Sequence, residues 1–252
     1  MEMSVSRMDP QITLRWSDFD WLGHVNNVRF VELGFLALPC EFMDSQDPAD
    51  RFVSSVSIEY FSPKEASRGS VFVSSRIEER SGGGSDVLQS IYSKNEALID
   101  THAAVRVRFG ETAPEFSSSL DWKRNDEFVC ELRTTDGFEG FESAVTVMDF
   151  MQDARGQMFA DMFFAAETSV VVVRVETVFD GARYVDSRPA TIRSAVTRVG
   201  RSSFDVVSQV LDGGGAMLAE SVTVLVSFDR VTKKSRPLTK SERETLAAVS
   251  SV

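Results

Sequence analysis

Cysteine and histidine are scarce in this chain of 252 residues, with two of each, and that scarcity sets the first limits. Cys40 and Cys130 stand ninety residues apart and match neither a C-x-x-C nor a zinc-binding spacing, so they read as reduced, buried thiols. A reducing compartment, the cytoplasm, follows as the default. No apolar run approaches the roughly 20 residues that a membrane span requires. The opening stretch, MEMSVSRMDP, lacks the apolar centre of a signal peptide. Basic residues are outnumbered 38 to 27, and a net charge of -11 argues against a broad surface for nucleic acid or anionic membrane. With 42% hydrophobic and 26% charged residues, the composition is that of a soluble globular protein.

The sequence nearly repeats itself. VSSVSIEYF (53–61) resembles VVVRVETVF (171–179), with Ile58-Glu59 falling on Val175-Glu176 at an offset of 117. DVLQSIY, from Asp86, falls on DVVSQVL, from Asp205, at an offset of 119. AAVRVRF, ending at Phe109, falls on TVLVSF, ending at Phe228, again at 119. A near-constant offset over three separated segments indicates a duplicated unit.

Each copy has the same order of elements. A short strand (ITLRWS; FVCELRT) leads through a loop to a helical segment, and alternating strands with Gly-rich turns follow. SGGGS (81–85) and DGGG (212–215) read as hairpin turns. Neither is followed by a helix or by the Lys and Ser/Thr of a phosphate loop. The helical segments NNVRFVELGFLAL and SAVTVMDFMQDARGQMFADMFF are apolar around most of their circumference, as expected of a helix wrapped by a sheet. Asn26 or Asn27, and Ser143, are the candidate N-caps. The expected fold class is α+β: a curled antiparallel sheet around a central helix, built twice, as domains 1–122 and 123–252 with the boundary at DWKRND. In the tail, Ser241 and Glu244 suggest a capping box for a short helix that packs rather than acts.

The run RWSDFDWLGHVNNVRFVEL resembles the signature of hotdog-fold acyl-CoA thioesterases of the 4-hydroxybenzoyl-CoA thioesterase type. The resemblance implies two tandem hotdog domains and a metal-free thioester hydrolase acting on acyl-CoA. Copy two departs from the pattern. Its RTTDGFEGFESA keeps Arg133 and Asp136 opposite Arg15 and Asp18, but has Gly137 or Phe138 in place of Asp20 and Ser143-Ala144 in place of the Asn pair. Because sites in this family form between one unit's loop and the other's helix, a tandem chain would hold one competent and one degenerate site.

The resemblance assigns Asp20 as general base or nucleophile, Gly23 as the tight turn and Asn27 as the backbone oxyanion donor at the start of the helix. Burial against Trp21 and Leu22 would raise the basicity of Asp20. His24 would orient a water or bond the Asn pair, or serve structure alone. Trp21, Asn26, Phe30, Asp149, Gln152 and Asp153 complete the expected binding site, the last three reaching across from copy two; a buried structural network is the plainer reading of those three. Asp18 is expected to pair with Arg15, and His102 to be structural. Phe30, Phe35, Met148 and Met151 would set the depth of the acyl slot. Arg51, Lys64 and Arg68 are candidates for the phosphates of coenzyme A, with ordinary surface charge the plainer reading. No metal set and no cofactor is implied, since coenzyme A is part of the substrate. The expected partner is a small-molecule acyl thioester, without nucleic acid or membrane, and a homo-oligomer is left open. Two further readings stand beside this one: an acyl-ACP thioesterase, and a non-catalytic acyl-CoA binding module, against which the presence of Asp20 counts.

Overall fold

The computed structural model describes residues 9–20, 23–38, 52–62, 69–81, 83–94, 98–110, 120, 127–130, 141–160, 169–180, 190–229, 231–232 and 234–250, with backbone alone at 127–130, 141–143, 169 and 190. Alternation of apolar and polar residues produces most of the strands. In β2 (Val53–Tyr60), for example, Val56 and Ile58 are buried while Glu59 faces out. The other strands are β1 (Gln11–Thr13), β3 (Ser70–Glu79), β4 (Ser85–Lys94), β5 (Ile99–Phe109), β6 (Glu127–Cys130), β7 (Ser169–Phe179), β8 (Ala190–Val199), β9 (Ser203–Leu211), β10 (Met217–Asp229) and β11 (Lys234–Ser235).

The strands form one antiparallel sheet in the order β1-β3-β4-β5-β2-β7-β10-β9-β8-β6, with β11 on β10. The two ends mirror each other: exchanging β1 with β6, β2 with β7, β3 with β8, β4 with β9 and β5 with β10 reverses the order. At the seam β2 pairs with β7, and Ile58 lies opposite Val175, with Ser57 opposite Glu176 and Glu59 opposite Arg174. Of the two pairs matched by the offset of 117, Ile58 and Val175 therefore face each other across the seam, whereas Glu59 and Glu176 do not. Both Gly-rich segments fall between antiparallel partners, the first, whose Gly82 lies outside the described residues, between β3 and β4, and 212–215 between β9 and β10.

Three α-helices occur among the described residues: α1 (Asn27–Leu36), α2 (Phe141–Met158) and α3 (Lys240–Ala248). The α1 helix lies against β4 and β5, α2 against β8 and β9, and the two helices touch each other. Val28, Phe30, Val31, Leu33 and Phe35 of α1 and Ala144, Val147, Met148, Met151 and Ala154 of α2 join one core with strands from both halves. Each such large side chain contributes about 1.5–3 kcal/mol by leaving water. Gly34 allows close approach: a Cβ there would stand 2.4 Å from the Gln89 Oε1, and the Gln89 amide donates to the Gly34 carbonyl at 2.8 Å. Arg29 of α1 forms ion pairs with Glu32 and, across the seam, with Asp149 of α2. Burial opposes the charge on Arg29, but the Asp149 and Glu32 carboxylates outweigh it and raise its pKa.

Two helix starts differ from expectation. The second central helix begins at Phe141, so Ser143 lies inside it. The capping box of α3 is Thr239 with Glu242, not Ser241 with Glu244. Both pairs have the required spacing, but Glu242 is also buried and holds the Arg236 guanidinium through two hydrogen bonds of 2.7 and 2.8 Å. Leu246 of α3 is fully buried in a second cluster with Phe159, Val196 and Phe204.

Candidate active site

The approach to α1 is a loop that closes on itself. The Asp18 carboxylate accepts from the backbone N–H of Arg15 at 2.6 Å, so the expected Asp18–Arg15 contact is made to the main chain. Phe19 and Val25 form a β-bridge. Between them the Asp20 N–H donates to the His24 carbonyl at 2.8 Å, and the His24 N–H donates to the Asp20 Oδ1 at 3.0 Å. The Gly23 N–H donates to the Asp20 carbonyl at 3.0 Å, with Gly23 at φ +74°, a backbone conformation that side-chain-bearing residues rarely adopt. The Asp20 carboxylate is thus oriented by the turn itself. Trp21 and Leu22, expected to enclose it, lie outside the described residues.

The helix start is held as firmly. Asn26 is the N-cap; its side-chain oxygen accepts from the Val28 N–H at 2.9 Å, and its own N–H donates to the Asp18 carbonyl at 2.8 Å. The next N–H, that of Asn27, makes no hydrogen bond among the described residues. Tyr60, at the end of β2, donates its hydroxyl to the Asn27 carbonyl at 2.9 Å and meets the Phe30 ring edge-on at 5.7 Å. Burial keeps this phenol well above its ordinary pKa, so it stays protonated as a donor.

A cavity of about 750 Å³ opens between this loop and the other half of the chain. The first half lines it with Asp20, His24, Asn26, Asn27, Phe30 and Tyr60, and α2 with Gln152, Asp153, Arg155 and Gly156. Val170 to Val173 of β7 and Leu225, Val226 and Phe228 of β10 form an apolar wall. Seven of the ten residues expected at the site therefore share one cavity, two of them across the seam. Of the other three, Gly23 shapes the loop without lining the cavity, Asp149 is held by Arg29 and is absent from the lining, and Trp21 is not described. Burial raises the Asp149 carboxyl pKa, against the pull of Arg29. Phe35, Met148 and Met151, expected to set slot depth, are core residues instead. Arg51, Lys64, Arg68, Arg133 and Asp136 fall outside the described residues. His102 is buried, with Ser93 Oγ at 2.9 Å and the Ser62 carbonyl at 3.3 Å from its ring nitrogens.

Among the cavity residues that were not anticipated, three stand out. Tyr60 continues the buried face of β2 after Val56 and Ile58, so its orientation was legible although its bond to Asn27 was not. Arg155 follows Met148 and Met151 at seven and four residues, the spacing of one helix face, and this is the signal that marks it as inward-facing. Gly156 faces open space: no atom comes within 4 Å of a Cβ built there. No group of three or more His, Cys, Asp or Glu among the described residues is placed to hold a metal ion. No helix among them is long and apolar enough to cross a membrane.

Solved structures share this architecture. A Lactobacillus plantarum protein described as an oleoyl thioesterase superposes with a TM-score of 0.64 at 9% identity, over 92% of this chain and 97% of that one. An Alicyclobacillus acidocaldarius protein of unknown function with a hot dog fold superposes with a TM-score of 0.59 at 8% identity, over 90% and 96% of the two chains. The fold is the hotdog fold. An acyl-ACP thioesterase of Bacteroides thetaiotaomicron is similar to this hotdog chain, with a TM-score of 0.58 at 13% identity over 86% and 96%. In sequence, the model of the acyl-ACP thioesterase C-terminal domain matches residues 2–112 of the hotdog chain, the part that carries the loop from Asp20 to Asn27. No curated protein matches it.

Proposed function

We propose that the protein is a metal-free thioester hydrolase built from two hotdog units in tandem, acting on acyl-CoA through Asp20. The observation that carries this reading is a single cavity lined by an oriented carboxylate, by a helix start whose first N–H has no partner among the described residues, and by an apolar wall. In the proposed reaction the thioester carbonyl carbon is attacked by a water that gives its proton to Asp20, or by the Asp20 carboxylate itself through an anhydride that water then opens. The carbonyl oxygen gains negative charge and accepts from the Asn27 N–H, at the positive end of the α1 dipole. The C–S bond breaks, the thiolate leaves and takes up a proton, and the acid is released. Gln152 and Asp153, reaching from α2, would position the water. The mirrored strand order and the Ile58–Val175 pairing support the tandem arrangement, with units 1–122 and 123–252.

The acyl-ACP reading is favoured by one observation, the match of residues 2–112 to an acyl-ACP thioesterase domain. That model describes a C-terminal domain, whereas its match here covers the first half, the one that carries Asp20. Thiol release from one acyl group presented on coenzyme A and on acyl carrier protein tests both. Faster turnover of the CoA ester supports the first reading, faster turnover of the ACP ester the second, and release from neither sinks the hydrolase.

A further inference from the structure

Arg155 occupies an unusual place for a guanidinium. It lies on the face of α2 that also carries Met148, Met151 and Ala154 into the core, and only 5% of it is exposed. It nonetheless lines the cavity. A buried arginine with a purely structural role satisfies its donors on carboxylates or backbone carbonyls. The side chain of Arg155 makes no hydrogen bond and no ion pair among the described residues. Tyr60 and Asp153 act on its charge through space. Burial lowers its pKa to about 10, which still leaves it charged near neutrality.

The cavity around it is largely apolar, with valines of β7 and Leu225, Val226 and Phe228 of β10 facing the helix. A plain hydrocarbon chain entering this space would displace solvent from five N–H donors and offer nothing in return, an unfavourable exchange for a charged group. An oxygen on the chain at that depth removes the conflict. We infer that the acyl group bound in this cavity carries an oxygen acceptor, a carboxylate, carbonyl or hydroxyl, held by Arg155, so that the substrate is an oxygen-bearing acyl thioester rather than a simple fatty one. This rests on the reading of the cavity as an acyl slot. It adds a specificity-determining residue that the loop motif does not contain.

The test uses CoA thioethers, which bind without being hydrolysed. Three S-alkyl-CoA analogues of equal chain length, ending in methyl, ending in carboxylate, and bearing a chain hydroxyl, are titrated calorimetrically into the full-length protein. The wild type is expected to bind at least one oxygen-bearing analogue tenfold or more tighter than the methyl-ended one, and the arm that gains identifies which oxygen is recognised. Arg155→Met should erase that preference without weakening the methyl-ended analogue. Arg155→Lys, which keeps the charge but not the planar fork, should retain part of it. Thermal unfolding shows whether the Met variant folds; if it does not, the Lys variant alone decides. Equal or tighter binding of the methyl-ended analogue by the wild type overturns the inference, as does an equal loss for all three analogues in Arg155→Met, which would assign the guanidinium to the CoA moiety. Should none of the three bind, the inference and the acyl-slot reading fall together. Rapid hydrolysis of plain and oxygenated acyl-CoA alike would leave the hydrolase standing and remove only the inference.

Discussion

Replacing Asn27 by proline removes a single donor from the site and little else. Asn27 is the first residue of α1, a position where proline's missing N–H breaks no helical bond and its fixed φ suits the turn. The preceding Asn26 has φ -58° and ψ 140°, an extended conformation of the kind that proline imposes on its predecessor. The cap on the Val28 N–H and the Tyr60 bond to the carbonyl of residue 27 both survive the change. Stability should therefore move by less than about 1 kcal/mol, whereas losing one oxyanion donor costs roughly 3–4 kcal/mol of transition-state stabilisation, or 10²- to 10³-fold in kcat. Asn27→Ala keeps the N–H and is the control; its kcat should stay within about tenfold of wild type. The assay is thiol release from acyl-CoA, followed with a thiol-reactive chromophore, beside a thermal melt. A folded proline variant with kcat within a few-fold of wild type would refute the assignment of the Asn27 N–H to the oxyanion.

Gly156→Leu directs a side chain into open cavity space. It should leave the fold intact, shift the acyl-length profile toward shorter chains and weaken long ones by tenfold or more; an unchanged profile would mean that the acyl group does not pass Gly156. Glu242→Gln breaks a pair whose carboxylate is 3% exposed, with an expected loss of about 3 kcal/mol seen as a melting point lowered by roughly 6 °C or more. Its hydrogen bonds from Arg236, aided by the Thr239 N–H and opposed by burial, hold the Glu242 pKa below the ordinary value of 4.5. This contribution is complete above that value and is lost as pH falls through the lower folded-state pKa. Melts from pH 7 down to pH 3 should therefore show a steeper acid loss in wild type than in Glu242→Gln, and parallel curves would contradict the pairing.

Periodicity and repetition were legible in the sequence, whereas contacts made across the two halves were not. The offset that set Ile58 on Val175 names two residues that face each other where β2 pairs with β7. In the loop before α1 the Gly23 turn and a cap at Asn26 or Asn27 were legible, since such features are local, whereas the bonds between Asp20 and His24 were not. Asp149 shows the limit. Its position on the helix suggested a role in the cavity, but Arg29, 120 residues away in sequence, holds it elsewhere. Arg155 shows a different one: a charged residue on a helical repeat of apolar ones is easily taken for surface, and only its seven- and four-residue spacing from Met148 and Met151 marks it as buried. The capping box of the tail was misplaced at Ser241 and Glu244 because the overlapping pair Thr239 and Glu242 shares its spacing, and the ion pair of the buried Glu242 with Arg236 marks the box that forms.

The central claim, hydrolysis through the Asp20 carboxylate, is tested most directly by Asp20→Asn. The amide retains an oxygen to accept the His24 N–H, so the loop keeps its shape while the charge disappears. Thiol release from acyl-CoA should fall by about 10²- to 10⁴-fold in kcat, with the melting point nearly unchanged. Turnover by the folded Asn variant at the wild-type rate would contradict the account.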